Sequence, residues 1–123
     1  MGMLEKKEES PQGTILKGEG SWTVENAAAL WQAFQPFLGQ NLALELAEVE
    51  RIDSSGLQIL LQGKRMAAKQ GKAFKILNHS LPVLKALDVT GLLGTFRDPV
   101  RVNSEQKQSL LLTYSRNRYS VYG

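Results

Sequence analysis

Cysteine is absent from this 123-residue chain. That removes disulfides, thiolate catalysis and thiolate metal sites together, and it fits a reducing cytoplasm. Histidine is almost as scarce: His79 is alone, after Asn78 in an expected turn, where a solvated ring is the ordinary state. No apolar run approaches the ~20 residues that span a bilayer. The opening "MGMLEKKEES" has no apolar stretch of the secretory-signal kind, and Lys6 stands where an N-myristoylation motif has Ser or Thr. Neither membrane insertion nor export is therefore expected. Phosphate-loop and dinucleotide fingerprints are missing, "GEG" at 18–20 being too short to count. The net charge is only +3, with basic residues scattered apart from "SRNRY" near the C-terminus. Nucleic-acid proteins usually concentrate a basic stripe, so direct nucleic-acid binding is not expected.

What is present suits one domain. Apolar residues make up 42% and charged residues 22%, ordinary for a globular protein, and a chain of this length buries about two-thirds of its unfolded surface.

Patterning gives an element order. "LEKKEE" and "TILKGEG", either side of the turn residues Pro11 and Gly13, read as an edge hairpin whose lysines discourage pairing with other chains. "TVENAAALWQAF" reads as a helix capped by Thr23, with Val24, Ala27, Ala28, Trp31 and Phe34 on one face and Pro36 ending it near Phe34. "NLALELAEV" alternates: Leu42, Leu44 and Leu46 point one way, Ala43, Ala47 and Val49 the other, as in a strand covered on both sides, with Glu45 the exception. "SSGLQILLQGKRMAAKQG" is the clearest helix, with a stripe of Leu57, Leu60, Leu61, Ala67 and Ala68 and Gly71 as its stop. Gly63 inside it costs about 1 kcal/mol relative to alanine unless close packing requires it. "KAFKIL" is a strand, Ser80 caps "LPVLKALDVTG", and Gly91 and Gly94 close that helix. "NSEQKQSLLLTY" reads as a terminal helix capped by Ser104; "SRNRYSVYG" has no assignable pattern. Strands joined through helices favour parallel pairing. The expected fold is therefore α/β: a mixed, mostly parallel sheet of four to five strands with helices packed on it.

Chemistry concentrates at "DSSG", where a strand gives way to a helix. Ser54 as a nucleophile lacks a base and a group to orient that base. The G-x-S-x-G elbow is absent, since Ser55 is followed at once by Gly56 and preceded by Ser54 and Asp53. Glu50 and Asp53 are too few for a hard-cation site. No catalytic residue, metal ligand or cofactor is expected, and the chain does not read as an enzyme. Asp53 or Ser54 can cap the following helix, which is sufficient reason for a polar residue there. The same place suits a phosphoacceptor: an exposed hydroxyl beside a favourable dipole and several free N–H donors, on which a phosphate adds roughly −1.5 to −2 charges next to Asp53. Gly56 leaves the bend bare for another protein to approach.

From about Thr14 to about Phe96, the stretches "GEG…TVENAAAL", "LALELAEV", "DSSGL", "KQG" and "LKALDVTGL" resemble the STAS domain of bacterial anti-sigma factor antagonists. The resemblance implies a single STAS-like domain over 1–123, with a core at about 14–96 and an extension at about 97–123, a helix plus tail. It implies a cytoplasmic partner-switching module in transcription or signalling, phosphorylated at Ser54 by an anti-sigma factor that is also a serine kinase and restored by a cognate phosphatase. Asp53, Ser54, Ser55 and Gly56 would form the docking site. Trp22 lies in "GEGSW", where the family has "GEL" or "GELD", and would be either a partner contact or a packed staple. Glu45 replaces a frequent Asp, Pro36 shortens the first helix, and no family pattern follows Phe96. The alternative within the family is a non-switching STAS subunit of a membrane lipid-transport ATPase complex. Some such subunits carry Thr and a small residue where this chain has Ser54 and Ser55, so "DSS" leans towards the switch.

Overall fold

Leucine spacing in "LALEL" gives the central strand of the main sheet, with one strand paired on either side of it. The computed structural model describes residues 3–92, 96, 100–103 and 119–122. In chain order the elements are β1 (Leu4–Ser10), β2 (Gly13–Trp22), α1 (Ala27–Phe34), β3 (Leu42–Ile52), α2 (Ser54–Lys69), β4 (Phe74–Leu77), α3 (Leu81–Val89), β5 (Val100–Asn103) and β6 (Tyr119–Tyr122). The main sheet runs β1-β2-β3-β4. β1 and β2 form the antiparallel hairpin, while β2–β3 and β3–β4 are parallel. The sheet is thus mixed, mostly parallel and four-stranded, as the element order implies. β5 and β6 form a separate parallel pair, so strand structure occurs in the tail that showed no sequence pattern. The expected terminal helix, from Ser104 on, and Gly94 lie outside the described residues.

The core lies on one face of the sheet. Leu16 and Trp22 of β2, Leu44 and Leu46 of β3 and Ile76 of β4 meet Phe34, Leu60 and Leu84 from the three helices. The other face is not sealed, contrary to the expectation of a strand covered on both sides: Ala47 and Glu48 are exposed and Ala43 is half-buried. Charge occupies that face instead, with Lys7 Nζ 2.9 Å from Glu45 and Lys17 Nζ 3.3 Å from Glu48. Val49 also departs from the alternation. The register shifts between Lys17/Glu19 and again between Gly20/Ser21 show where β3 carries bulges. An extra residue reverses the parity of the strand, so Val49 turns back into the core, 1% exposed.

The first helix begins later than its pattern indicates. Val24–Asn26 form a 3-10 turn ahead of α1, and its three-residue period breaks the phase of the apolar stripe. Val24 is 66% exposed and Ala28 is exposed, while Phe34 of the expected face is buried together with Leu30, which the pattern does not place there. Pro36 ends the helix as expected, within a second 3-10 turn at Gln35–Phe37. α2 buries Leu57, Ile59, Leu60 and Ala67, while Ala68 is exposed. Gly63 is explained by packing: a Cβ there would meet the Phe74 ring at 2.6 Å.

α2 and α3 stop in the same way. Gly71 N–H reaches the Ala68 carbonyl at 3.1 Å and Lys72 N–H that of Ala67 at 2.8 Å; Gly91 and Leu92 repeat the pattern on Asp88 and Leu87. This is the paired closure that a left-handed residue permits, with φ of +67° at Gly71 and +75° at Gly91. Ser80 caps α3 through Val83 N–H at 3.3 Å.

Candidate functional site

Asp53 ends β3 and its carboxylate works in two directions. Oδ1 accepts the N–H groups of Ser55 (2.9 Å) and Gly56 (3.3 Å), which caps α2. Oδ2 accepts the N–H of Val24 at 3.0 Å, across 29 positions of sequence. Meanwhile the Asp53 N–H donates to the Trp22 carbonyl at 3.3 Å. One side chain therefore pins the β2 exit against the head of α2. Thr23, the expected cap of the first helix, makes no bond to a backbone N–H; its hydroxyl donates to Glu25 Oε1 at 2.8 Å.

Ser54 is the first residue of α2 and is exposed; Ser55 is half-buried. Among the described residues the Ser54 hydroxyl has no hydrogen-bond partner. It lies on a shallow groove of about 400 Å³ between the head of α2 and α3, floored by Ile52, Leu57, Pro82 and Ala86 and bordered by Lys85 and Val89. Val89 is 68% exposed. The large apolar side chains exposed among the described residues are Val24 and Val89, one beside Asp53 and the other on this groove.

Three expectations about the junction need correction. Several free donors for an added phosphate are not there, because Asp53 Oδ1 already holds two N–H groups of the first turn. Trp22 is fully buried, 0% exposed, so it is not a surface contact. It packs edge-on against Phe34, with ring centroids 5.9 Å apart at 89°, which is the staple role. Its indole Nε1 has no acceptor among the described residues. Gly56 is buried too, and a Cβ there would overlap the Trp22 carbonyl oxygen and come within 2.8 Å of Ile52 Cγ1. The missing side chain serves this internal approach rather than a visiting protein. Of the expected docking residues, Ser54 is at the surface, Asp53 and Ser55 are half-buried, and Gly56 and Trp22 are inside.

Ser54 has the Asp53 carboxylate beside it in the chain and shares its groove with Lys85. The Thr23 hydroxyl holds the Glu25 carboxyl below its usual range, Arg51 assists, and Asp53 opposes. Glu25 and Asp53 are thus close enough to feel each other. His79 differs from the solvated ring expected of it: it is half-buried, and burial lowers its pKa to about 4, so the ring is neutral at pH 7. Among the described residues no group of three or more His, Asp or Glu could hold a metal ion, and no helix is long and apolar enough to cross a membrane.

Comparison with known proteins agrees with this frame. The chain is similar to a candidate anti-sigma factor antagonist from Thermotoga maritima: 25% identity, 73% of this chain and 80% of that one covered, TM-score 0.64. It has the fold of the anti-sigma factor antagonist SpoIIAA in its unphosphorylated form: 17% identity, 76% and 84% covered, TM-score 0.62. The same fold recurs in 18% of the larger protein Mglu, at 23% identity over 58% of this chain and a TM-score of 0.51. No curated protein matches. The family model described as "Mlab, STAS domain" matches residues 6–98. With three-quarters of its length matched and the element order in place, the chain belongs to the STAS domain family.

Proposed function

We propose that this STAS domain acts in the cytoplasm as an anti-sigma factor antagonist, a binding module whose docking surface is the groove beside Ser54 and whose switch is phosphorylation of Ser54. The observation that carries the reading is an exposed, unbonded hydroxyl on the border of an apolar groove. In the forward step, the γ-phosphoryl of ATP passes to Ser54 Oγ, the hydroxyl proton leaves, and ADP is released. Hydrolysis by a phosphatase returns the hydroxyl and inorganic phosphate.

The groove explains why such a change would be felt. Ile52, Leu57, Ala86 and Val89 offer apolar surface to a partner anti-sigma factor, and burying it drives association. A phosphate adds roughly −1.5 to −2 charges at that border. The head of α2 cannot absorb the charge, since Asp53 occupies two donors of the first turn. The phosphate therefore stays on the docking side, where Asp53 repels it, Lys85 on the same groove offsets part of that repulsion, and a partner would have to desolvate it. Incubation with the partner kinase and ATP adds one phosphate, at Ser54, by mass spectrometry. Modification elsewhere, with partner binding still lost, would contradict the proposal.

A second reading keeps the surface and drops the switch: a STAS subunit that steadies the ATPase of a membrane lipid-transport complex. In its favour, Asp53 already satisfies the helix head without any phosphate, and the matching family model is described for Mlab. Co-purification of an ATPase with an unmodified Ser54 distinguishes it.

A further inference from the structure

Residues 54–87 contain Lys64, Arg65, Lys69, Lys72, Lys75 and Lys85 and not one Asp or Glu. The ion pairs formed between two described residues, Lys6–Glu9, Lys7–Glu45 and Lys17–Glu48, all lie earlier in the chain. The fold gathers part of the unpaired set. Lys64, Lys72 and Lys75 line a cleft of about 360 Å³ at the far end of α2, with Ala68, Ala73 and the edges of Phe74 and Phe96 as its floor. Lys64 is anchored by the carbonyls of Phe74 (3.3 Å) and Phe96 (3.2 Å) and lies 6.0 Å from the Phe96 ring centroid. Lys72 and Lys75 are exposed and have no acidic partner among the described residues. A favourable helix dipole accounts for Lys69 in the last turn, but not for Lys72 beyond the helix or Lys75 on β4.

We infer that this cleft is a second docking surface, for an acidic polypeptide segment, and that it works independently of Ser54. Its shape favours a polypeptide over the other polyanions. A membrane surface is flat and is usually met by exposed apolar anchors, and the large apolar side chains exposed among the described residues, Val24 and Val89, are at the other end of α2. Single-stranded nucleic acid stacks on exposed aromatic faces, whereas Phe74 and Phe96 are 3% and 2% exposed. A concave site lined by three lysines suits Glu or Asp side chains carried on an extended chain.

Independence follows from distance. Ser54 to Ala68 is fourteen helical steps, or about 21 Å at the α-helical rise. Charges in solvent are largely screened beyond about 8–10 Å at physiological salt. A charge placed on Ser54 would therefore not be felt in the lysine cleft, and a partner held there would stay tethered when the Ser54 surface is switched off.

The test uses the full chain and a short fluorescein-labelled peptide of alternating glutamate and leucine, followed by fluorescence anisotropy. The peptide is expected to bind, to weaken with added salt, and to lose about tenfold or more in affinity in Lys72→Glu/Lys75→Glu. Both sites are exposed and unpaired, so circular dichroism should show the variant folded. Ser54→Asp, at the other end of α2, should leave the affinity unchanged. Equal binding by Lys72→Glu/Lys75→Glu, weakened binding by Ser54→Asp, or tighter capture of phosphatidylserine vesicles or a DNA duplex than of the peptide would each overturn the inference.

Discussion

Asp53 and Val24 are 29 positions apart in sequence and joined by a 3.0 Å bond from the Val24 N–H to the Asp53 carboxylate. Through that bond the head of α2, where Ser54 sits, is fixed to the turn that leads into α1. The position of the Ser54 hydroxyl is thus set by two layers of the fold and not by its own helix alone.

Asp53→Ala should be more costly than loss of an ordinary cap. A single N-cap substitution costs about 0.5–2 kcal/mol, and here three N–H groups lose their acceptor at once. We expect about 2–3 kcal/mol by urea denaturation. Asp53→Asn, which retains one carbonyl oxygen, should recover part of it.

Gly56→Ala should be more damaging than Gly63→Ala, although both sit in α2. At Gly56 the added methyl meets a backbone carbonyl, which cannot move without shifting the end of β2. At Gly63 it meets the edge of the Phe74 ring, where overpacking costs about 1–3 kcal/mol and alanine's helix propensity returns about 1 kcal/mol. Thermal melts of the two variants should differ clearly, with Gly56→Ala unfolding at the lower temperature.

His79 makes stability depend on acid. Burial holds its folded pKa at about 4, below the ordinary 6.5. The unfolded chain therefore takes up a proton first as pH falls, and the folded state is penalised. This contribution is fully present above about pH 6.5 and is lost progressively towards pH 4, at up to about 3 kcal/mol. Denaturation midpoints measured at pH 7 and pH 4.5 should converge in His79→Gln relative to the parent chain.

Much of this frame is legible in the sequence, because its signals are local. Ser80 and Asp53 mark caps within three residues of the N–H groups they accept, and Gly71 and Gly91 mark stops. The order from β1 to α3 follows from apolar spacing and turn residues, whereas β5 and β6 lie where that spacing marks no strand. What escapes is set by contacts distant in sequence. Val49 reads as outward-facing because the bulges in β3 depend on pairing with β2. Val24 reads as part of a helix face because the 3-10 turn is held by Asp53 from elsewhere. Trp22 and Gly56 read as surface candidates, yet each is buried by the other's segment: the Trp22 carbonyl rests where a Gly56 side chain would be. The lysines read as scattered because only the packing of α2 on β4, with Phe96 beside them, brings three into one cleft.

The most direct test of the switch is calorimetric titration of the anti-sigma partner with two forms of this chain, one unmodified and one carrying phosphoserine at Ser54. Ser54→Ala serves as the folded, uncharged control. The account predicts that the unmodified and Ser54→Ala chains bind alike and that the phosphorylated chain binds about a hundredfold more weakly or not at all. Equal affinity of the phosphorylated and unmodified forms would contradict it.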